Sequence, residues 1–314
     1  MSTIFNLAKA SLILLLINGC ATPLPATSPM PNVIPTPTFP SLSPDSYVSS
    51  PSITNVLSKT LTIGDYQYEM ACSGEGNPAV LLLGGRAAAW KPIQIEINRF
   101  TRTCVFDHMA SSPNRLTTEQ IANNAHSLVK DGQVTAPYIL VGFSVGGYIA
   151  RLFTKSYPEE VAGMVLLDSS HEDQNARFLL ALPPETSKEC QELKDYRAGL
   201  QGRHVIQIAP QISLDFEASA MQVRTLGQDL GNLPLMVLTA GRSEWPDCFP
   251  PEVHQQLDQA WLDMQKDLAG LSTNSTHQVA EESGHSFAEQ PGMVIDAIQR
   301  VIQAVRAGEG GSIP

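Results

Sequence analysis

A serine between glycines carries the first chemical signal of this chain. Gly142-Phe143-Ser144-Val145-Gly146-Gly147 matches G-x-S-x-G, and a continuous apolar run, Tyr138 to Val141, leads into it. A strand before and a helix after turn this common pattern into a nucleophile elbow. A sharp strand-to-helix turn pushes the Ser144 side chain out at the C-terminal edge of a sheet. Backbone and helix then pass so closely that side chains at 142 and 146 would clash. The helix N-terminus also presents N–H groups to developing negative charge. The implied chemistry is nucleophilic attack with a covalent intermediate on the serine. Metal-ligand spacings, a Walker loop and a dinucleotide fingerprint are absent from the sequence, so the expected reaction uses no cofactor and no metal.

The elements that must position such a serine follow from the hydrophobic pattern. Lys59 to Ile63 and Tyr66 to Cys72 flank Gly64-Asp65 and read as an opening hairpin. Short apolar runs at Ala79 to Leu83, Thr103 to Asp107, Tyr138 to Val141, Val161 to Leu167, Leu235 to Thr239 and Thr276 to Ala280 read as strands. A helix is expected over Thr117 to Gly132, capped by Thr118, with Ile121, Ala125, Leu128 and Val129 on one face. Tyr148 to Ser156 reads as the helix after the elbow, and Met293 to Ala307 as a closing amphipathic helix. Continuous apolar strands alternating with helices imply a mostly parallel sheet buried on both faces. The stretch from about 171 to 232 interrupts the alternation; it is polar, holds few strand signals, and reads as an insertion over one end of the sheet.

With these residues in place, the chain resembles the α/β-hydrolase family over roughly residues 60 to 307. The resemblance rests on Pro137-Tyr138-Ile139-Leu140-Val141-Gly142-Phe143-Ser144-Val145-Gly146-Gly147, which looks like the family's fifth strand and elbow. It implies an α/β-hydrolase fold: a mostly parallel eight-stranded sheet flanked by helices, with a lid at about 171–232. It implies that Ser283-Gly284-His285, after the last strand, supplies the catalytic base. It leaves the acid open between Asp168, which ends Val165-Leu166-Leu167-Asp168, and Glu244 in Gly241-Arg242-Ser243-Glu244, with Asp168 placed first and Asp247 third. It implies an oxyanion hole from the Val145 amide and, by position in Leu83-Gly84-Gly85-Arg86, the Arg86 amide. The chain departs from the family at Asp107-His108-Met109-Ala110-Ser111-Ser112, where relatives carry a more glycine-rich loop. The remaining histidines, His108, His126, His171, His204, His254 and His277, lack the placement of His285 and are expected mostly at the surface. The family's sheet order also implies Cys72–Cys104 and, between lid and body, Cys190–Cys248. The reaction implied is cleavage of an ester, thioester, lactone or amide through an acyl-serine. Carbon–carbon hydrolysis, acyl transfer and a non-catalytic surface binding role are the alternatives.

The ends and the composition place the domain. Of 314 residues, 43% are hydrophobic and 16% charged, and the net charge is −11. No Lys/Arg cluster is visible, which argues against nucleic acid. Lys9, an apolar run from Leu12 to Ile17 and Gly19-Cys20 describe a secretory signal over residues 1–20. Ile17-Asn18-Gly19-Cys20 resembles a bacterial lipobox, which implies lipidation of Cys20 and a membrane anchor made of acyl chains. Ala21 leaves the position after Cys20 without the Asp that signals inner-membrane retention. Residues 21–55 are rich in Pro, Ser and Thr and read as a disordered tether. The folded domain is then 56–308, with a disordered tail at 309–314. The other four cysteines, an even number in an exported chain, suggest disulfides. The expected partners are a small acyl substrate and the membrane, with no obligate protein partner evident.

Overall fold

The computed structural model describes residues 57–63, 66–108, 115–202, 205–209, 212–227 and 229–308, together with Ile313. The signal, Cys20, the tether, the Gly64-Asp65 turn, Met109 to Ser112 and the tail at 309–312 lie outside the described residues.

Eight strands form the main sheet: β1 (Leu57–Ile63), β2 (Tyr66–Ser73), β3 (Ala79–Leu83), β4 (Thr103–His108), β6 (Tyr138–Phe143), β7 (Val161–Leu167), β10 (Leu235–Ala240) and β11 (Ser275–Ala280). Their spatial order is β1-β2-β4-β3-β6-β7-β10-β11. β1 and β2 pair antiparallel, as do β2 and β4, while every later pair is parallel. This is the eight-stranded, mostly parallel sheet that the sequence implies.

Alternation along the strands divides the core. Leu81, Leu83, Leu140 and Met164 face one layer, where α2 (Thr118–Asp131) and α3 (Gly146–Ser156) cover them. Val80, Leu82, Ile139, Val141, Val165 and Leu167 face the other, under α1 (Ala87–Ile97) and α8 (Pro291–Arg306). Both faces are therefore dry, which is why these strands read as unbroken apolar runs. Helix α2 starts on a capping box: the Thr117 hydroxyl accepts from the Gln120 amide and the Gln120 side chain returns to the Thr117 N–H. The cap is thus Thr117, not Thr118. Thr118 is buried, and its amide donates to Ser219.

The 171–232 stretch carries α4 (Gln174–Ala181), α5 (Gln191–Gln201) and α6 (Phe216–Thr225). It also carries strands β8 (Val205–Ala209) and β9 (Ile212–Asp215), which join β5 (Arg115–Leu116) in a small second sheet. The stretch thus holds more strand than its polar composition implies, because β9 pairs with a segment that precedes it by about a hundred residues. A third apolar cluster joins Phe178, Tyr196 and Leu193 of this stretch to Phe249, and to Val253, Leu257 and Trp261 of the long helix α7 (Pro251–Ala269).

Both disulfides are formed. Cys72 and Cys104 are direct partners in the β2–β4 register, with Cα atoms 4.0 Å apart. Cys190 and Cys248 join the inserted stretch to the loop after β10. Among the described residues no helix is long and apolar enough to cross a membrane.

Candidate active site

Ser144 sits between β6 and α3 with φ at 54°, in the left-handed region where an L-residue is strained. The turn is fixed from both sides. The Ser144 amide donates to the Leu167 carbonyl at 3.0 Å, and its carbonyl accepts from Ser170 N–H at 3.0 Å. The glycines are required by contact. A Cβ on Gly142 would come within 2.7 Å of the Gly146 carbonyl, and one on Gly146 would collide with the Leu83 carbonyl. The Ser169 hydroxyl donates to the Gly142 carbonyl, tying the loop after β7 to this turn.

The next strand end supplies a carboxylate. Asp168 directly follows β7 and is 4% exposed. All of its lone pairs that the fold addresses are occupied. Oδ1 accepts from the Ala240 N–H at 3.0 Å and from the Trp261 indole N–H at 2.8 Å. Oδ2 lies 2.5 Å from Nδ1 of His285. A buried carboxylate needs such partners, because desolvation of an unpaired charge is costly. The bond to Nδ1 also fixes the ring tautomer, leaving Nε2 free to accept a proton.

The competing acids stand elsewhere. Glu244 is exposed; its carboxyl end lies against the Gly284 backbone, and partial burial there, ahead of the charges around it, pushes its pKa up. Asp247 is exposed. Neither Glu244 nor Asp247 bonds to His285, so the geometry joins His285 to Asp168. Among the described residues the Ser144 hydroxyl has no hydrogen-bond partner. Its neighbour Phe143 packs against His285 with ring centroids 4.7 Å apart. Contacts between nucleophile and base commonly tighten only when substrate arrives.

Two helix starts face the same sheet edge. Leu83 of β3 is in register with Gly142 of β6, which brings the loop after β3 beside the elbow. Gly84 and Gly85 turn this loop with φ of 82° and 69°, and the Trp90 indole N–H holds the Gly84 carbonyl at 2.6 Å. Arg86 is the residue before α1, and Val145 the residue before α3. Among the described residues the amides of Arg86 and Val145 have no acceptor in the protein. The Arg86 residue is exposed.

The structure adds residues that the sequence did not single out. Arg151 of α3 and Glu172 of the loop after Asp168 form a two-pronged ion pair at 2.7 and 3.0 Å, with side chains 5% and 0% exposed. Burial alone would raise the Glu172 pKa, but the Arg151 guanidinium overcomes it and holds the group at about 2. The pair locks α3 to the loop after Asp168. An arginine inside the apolar run Tyr148 to Phe153 was the available signal. His171 is 2% exposed, with Nδ1 accepting from the Asp173 amide, so it is an interior residue rather than a surface one. Its burial follows from that same locked loop. Trp261 and Gln265 were also missed. They are one turn apart on α7 and reach Asp168 and the Ser169 carbonyl.

Comparison with known proteins gives one family and three similar proteins. A family model described as alpha/beta hydrolase fold matches residues 110–290. The uncharacterized protein YqjL of Bacillus subtilis is 27% identical over 224 residues, covering 69% of this chain and 79% of that one. Among solved structures, a thermophilic esterase from Thermogutta terrifontis is 21% identical, with 80% of this chain and 99% of that one covered at a TM-score of 0.51. Est816, described as an N-acyl homoserine lactone degrading enzyme, is 15% identical, with 77% and 99% covered at a TM-score of 0.50. At such identities the likeness to solved structures is one of fold.

Proposed function

The chain belongs to the alpha/beta hydrolase fold family, and from that premise we propose that it is a serine hydrolase cleaving a small ester-like substrate through an acyl-Ser144 intermediate. The observation that carries this reading is the 2.5 Å bond from His285 Nδ1 to the buried Asp168, which directly follows the strand beside a strained Ser144 at a strand-to-helix turn. In the proposed reaction His285 Nε2 takes the Ser144 proton as Oγ attacks the carbonyl carbon. The amides of Val145 and Arg86 receive the oxyanion. Collapse expels the alcohol, amine or thiol, to which His285 returns the proton. Water, activated by the same imidazole, then hydrolyses the acyl-serine. An ester, thioester, lactone or amide fits; the serine supports acyl chemistry over attack on a saturated carbon, because an alkyl ether on Ser144 would not be hydrolysed by this set. The same reading includes export, lipidation at Cys20 and a membrane anchor; the two disulfides support an oxidising compartment.

A fluorophosphonate probe tests the assignment without knowledge of the substrate. Ser144 Oγ forms a bond to phosphorus, fluoride leaves, and the proton passes to His285. The wild-type domain is expected to label at Ser144, and Ser144→Ala to remain unlabelled. Persistent labelling of a folded Ser144→Ala variant would falsify the nucleophile, and a folded wild type that never labels would point to a binding role instead.

A further inference from the structure

The lid-side helix α7 reaches the acid directly. Trp261 donates its indole N–H to Asp168 Oδ1 at 2.8 Å. One turn on, the fully buried Gln265 donates its amide to the Ser169 carbonyl at 2.7 Å. These two side chains lie on one stripe of α7, because residues four apart stack on a helix. The segment that bears the acid is therefore held by two donors from a helix outside the set formed by Ser144, His285 and Asp168.

The other side of Trp261 belongs to the inserted stretch. Its ring stacks on Phe178 of α4, centroids 5.9 Å apart and planes 20° from parallel. Phe178 in turn meets Trp245 and Tyr196. The loop carrying Trp245 also carries Cys248, whose disulfide runs to Cys190 before α5. The Trp261 indole thus has one edge on Asp168 and one face on the aromatic cluster of the lid.

We propose that Trp261 is a positioning residue for the hydrolysis assigned above: its N–H, with that of Ala240, fills Oδ1 of Asp168 and leaves Oδ2 to orient His285. The inference rests on the serine-hydrolase reading. Two donors on Oδ1 do two things. They fix the carboxylate plane, so that Oδ2 points at Nδ1 rather than rotating away. They also withdraw charge from the carboxylate and so limit its pull on the imidazole proton. Removing the indole N–H alone leaves a looser and more basic carboxylate. The imidazolium is then stabilised, and the base is protonated up to a higher pH. Among the described residues Asp168 and Glu244 face His285, with Glu289 and Arg242 acting on Glu244.

Trp261→Phe keeps a ring against Phe178 and removes the donor. Phe178→Leu breaks the stack and keeps the donor. Each purified domain is labelled with a fluorophosphonate across pH 5 to 10, separating the maximal labelling rate from the probe's binding constant, and its melting temperature is recorded. Trp261→Phe is expected to lose about tenfold in maximal labelling rate, with unchanged probe binding, and its acid limb is expected to move to higher pH. Phe178→Leu is expected to lower the melting temperature and leave the acid limb in place. The inference is overturned if wild type labels at Ser144 and Trp261→Phe labels with the same rate and pH profile. It is also overturned if both variants lose rate in proportion to stability, since Trp261 would then be packing alone. Absence of labelling in folded wild type would instead refute the hydrolase reading on which the inference stands.

Discussion

Asp168→Asn is the perturbation whose consequence the structure fixes most tightly. The substitution is nearly isosteric, so the pocket and its partners stay in place. Oδ1 of Asp168 receives two donors, the Ala240 amide and the Trp261 indole. In the variant the carboxamide oxygen must occupy that position, because an NH2 group there would face two N–H groups. The NH2 group is then turned towards His285 Nδ1. To accept from it, the imidazole must move its proton to Nε2, the atom that should take the proton from Ser144. Loss of the base tautomer and of the imidazolium partner costs about four orders of magnitude where a triad acid has been changed in this way. That is about 5.4 kcal/mol of barrier. Glu244→Gln, at an exposed side chain without a bond to His285, is expected to stay within about threefold of wild type. The assay is the second-order rate of fluorophosphonate labelling, followed by turnover of a short-chain aryl ester. An Asp168→Asn rate within tenfold of wild type, or an equal loss in Glu244→Gln, would rule out Asp168 as the partner that orients His285.

Three further outcomes follow from the interior of the site and from the inserted stretch. Arg151→Met leaves the Glu172 carboxylate buried without its partner and should cost about 3–5 kcal/mol in urea unfolding, much of it regained in Arg151→Met/Glu172→Leu. A smaller loss in the single variant would mean that water reaches Glu172. The same pair sets an acid limit. Glu172 has its pKa depressed from 4.5 to about 2 in the folded state, so its stabilisation is complete above about pH 4.5 and is lost as pH falls towards 2. Its share is about 3 kcal/mol, and denaturant titrations at pH 6 and pH 3 in wild type and the double variant check it; equal acid sensitivity would contradict it. Opening Cys190–Cys248 with paired serines frees a separation of 58 residues and should lower stability by about 4 kcal/mol. Calorimetry with the Cys72–Cys104 bond intact measures this, and an unchanged melting temperature would show that the inserted stretch is held without the bond.

The elbow was legible because its requirements are local. A strand, a turn with glycines at 142 and 146, and a helix start are all encoded within a dozen residues, and the strand bounds fell close to the observed ones for the same reason. Apolar runs such as Val161 to Leu167 announce burial on both faces wherever they occur. The disulfides were legible only through the resemblance, since four cysteines allow three pairings. The strands β8 and β9 of the inserted stretch were not legible, because β9 pairs with a distant segment.

The sequence by itself therefore determined the strand-to-helix turn around Ser144, the parallel sheet and three of the helices that cover it, all of which rest on short-range patterns of size, polarity and backbone freedom. Which carboxylate meets His285 was decided only in three dimensions. Asp168 directly closes an apolar strand and Glu244 lies a few residues past one, which places Asp168 first without deciding between them. The choice is made by residues 72, 93 and 117 positions away: the amide of Ala240, the indole of Trp261 and the imidazole of His285 converge on Asp168 alone. A buried charge is stable only where such donors gather, and that gathering is a property of the packed fold.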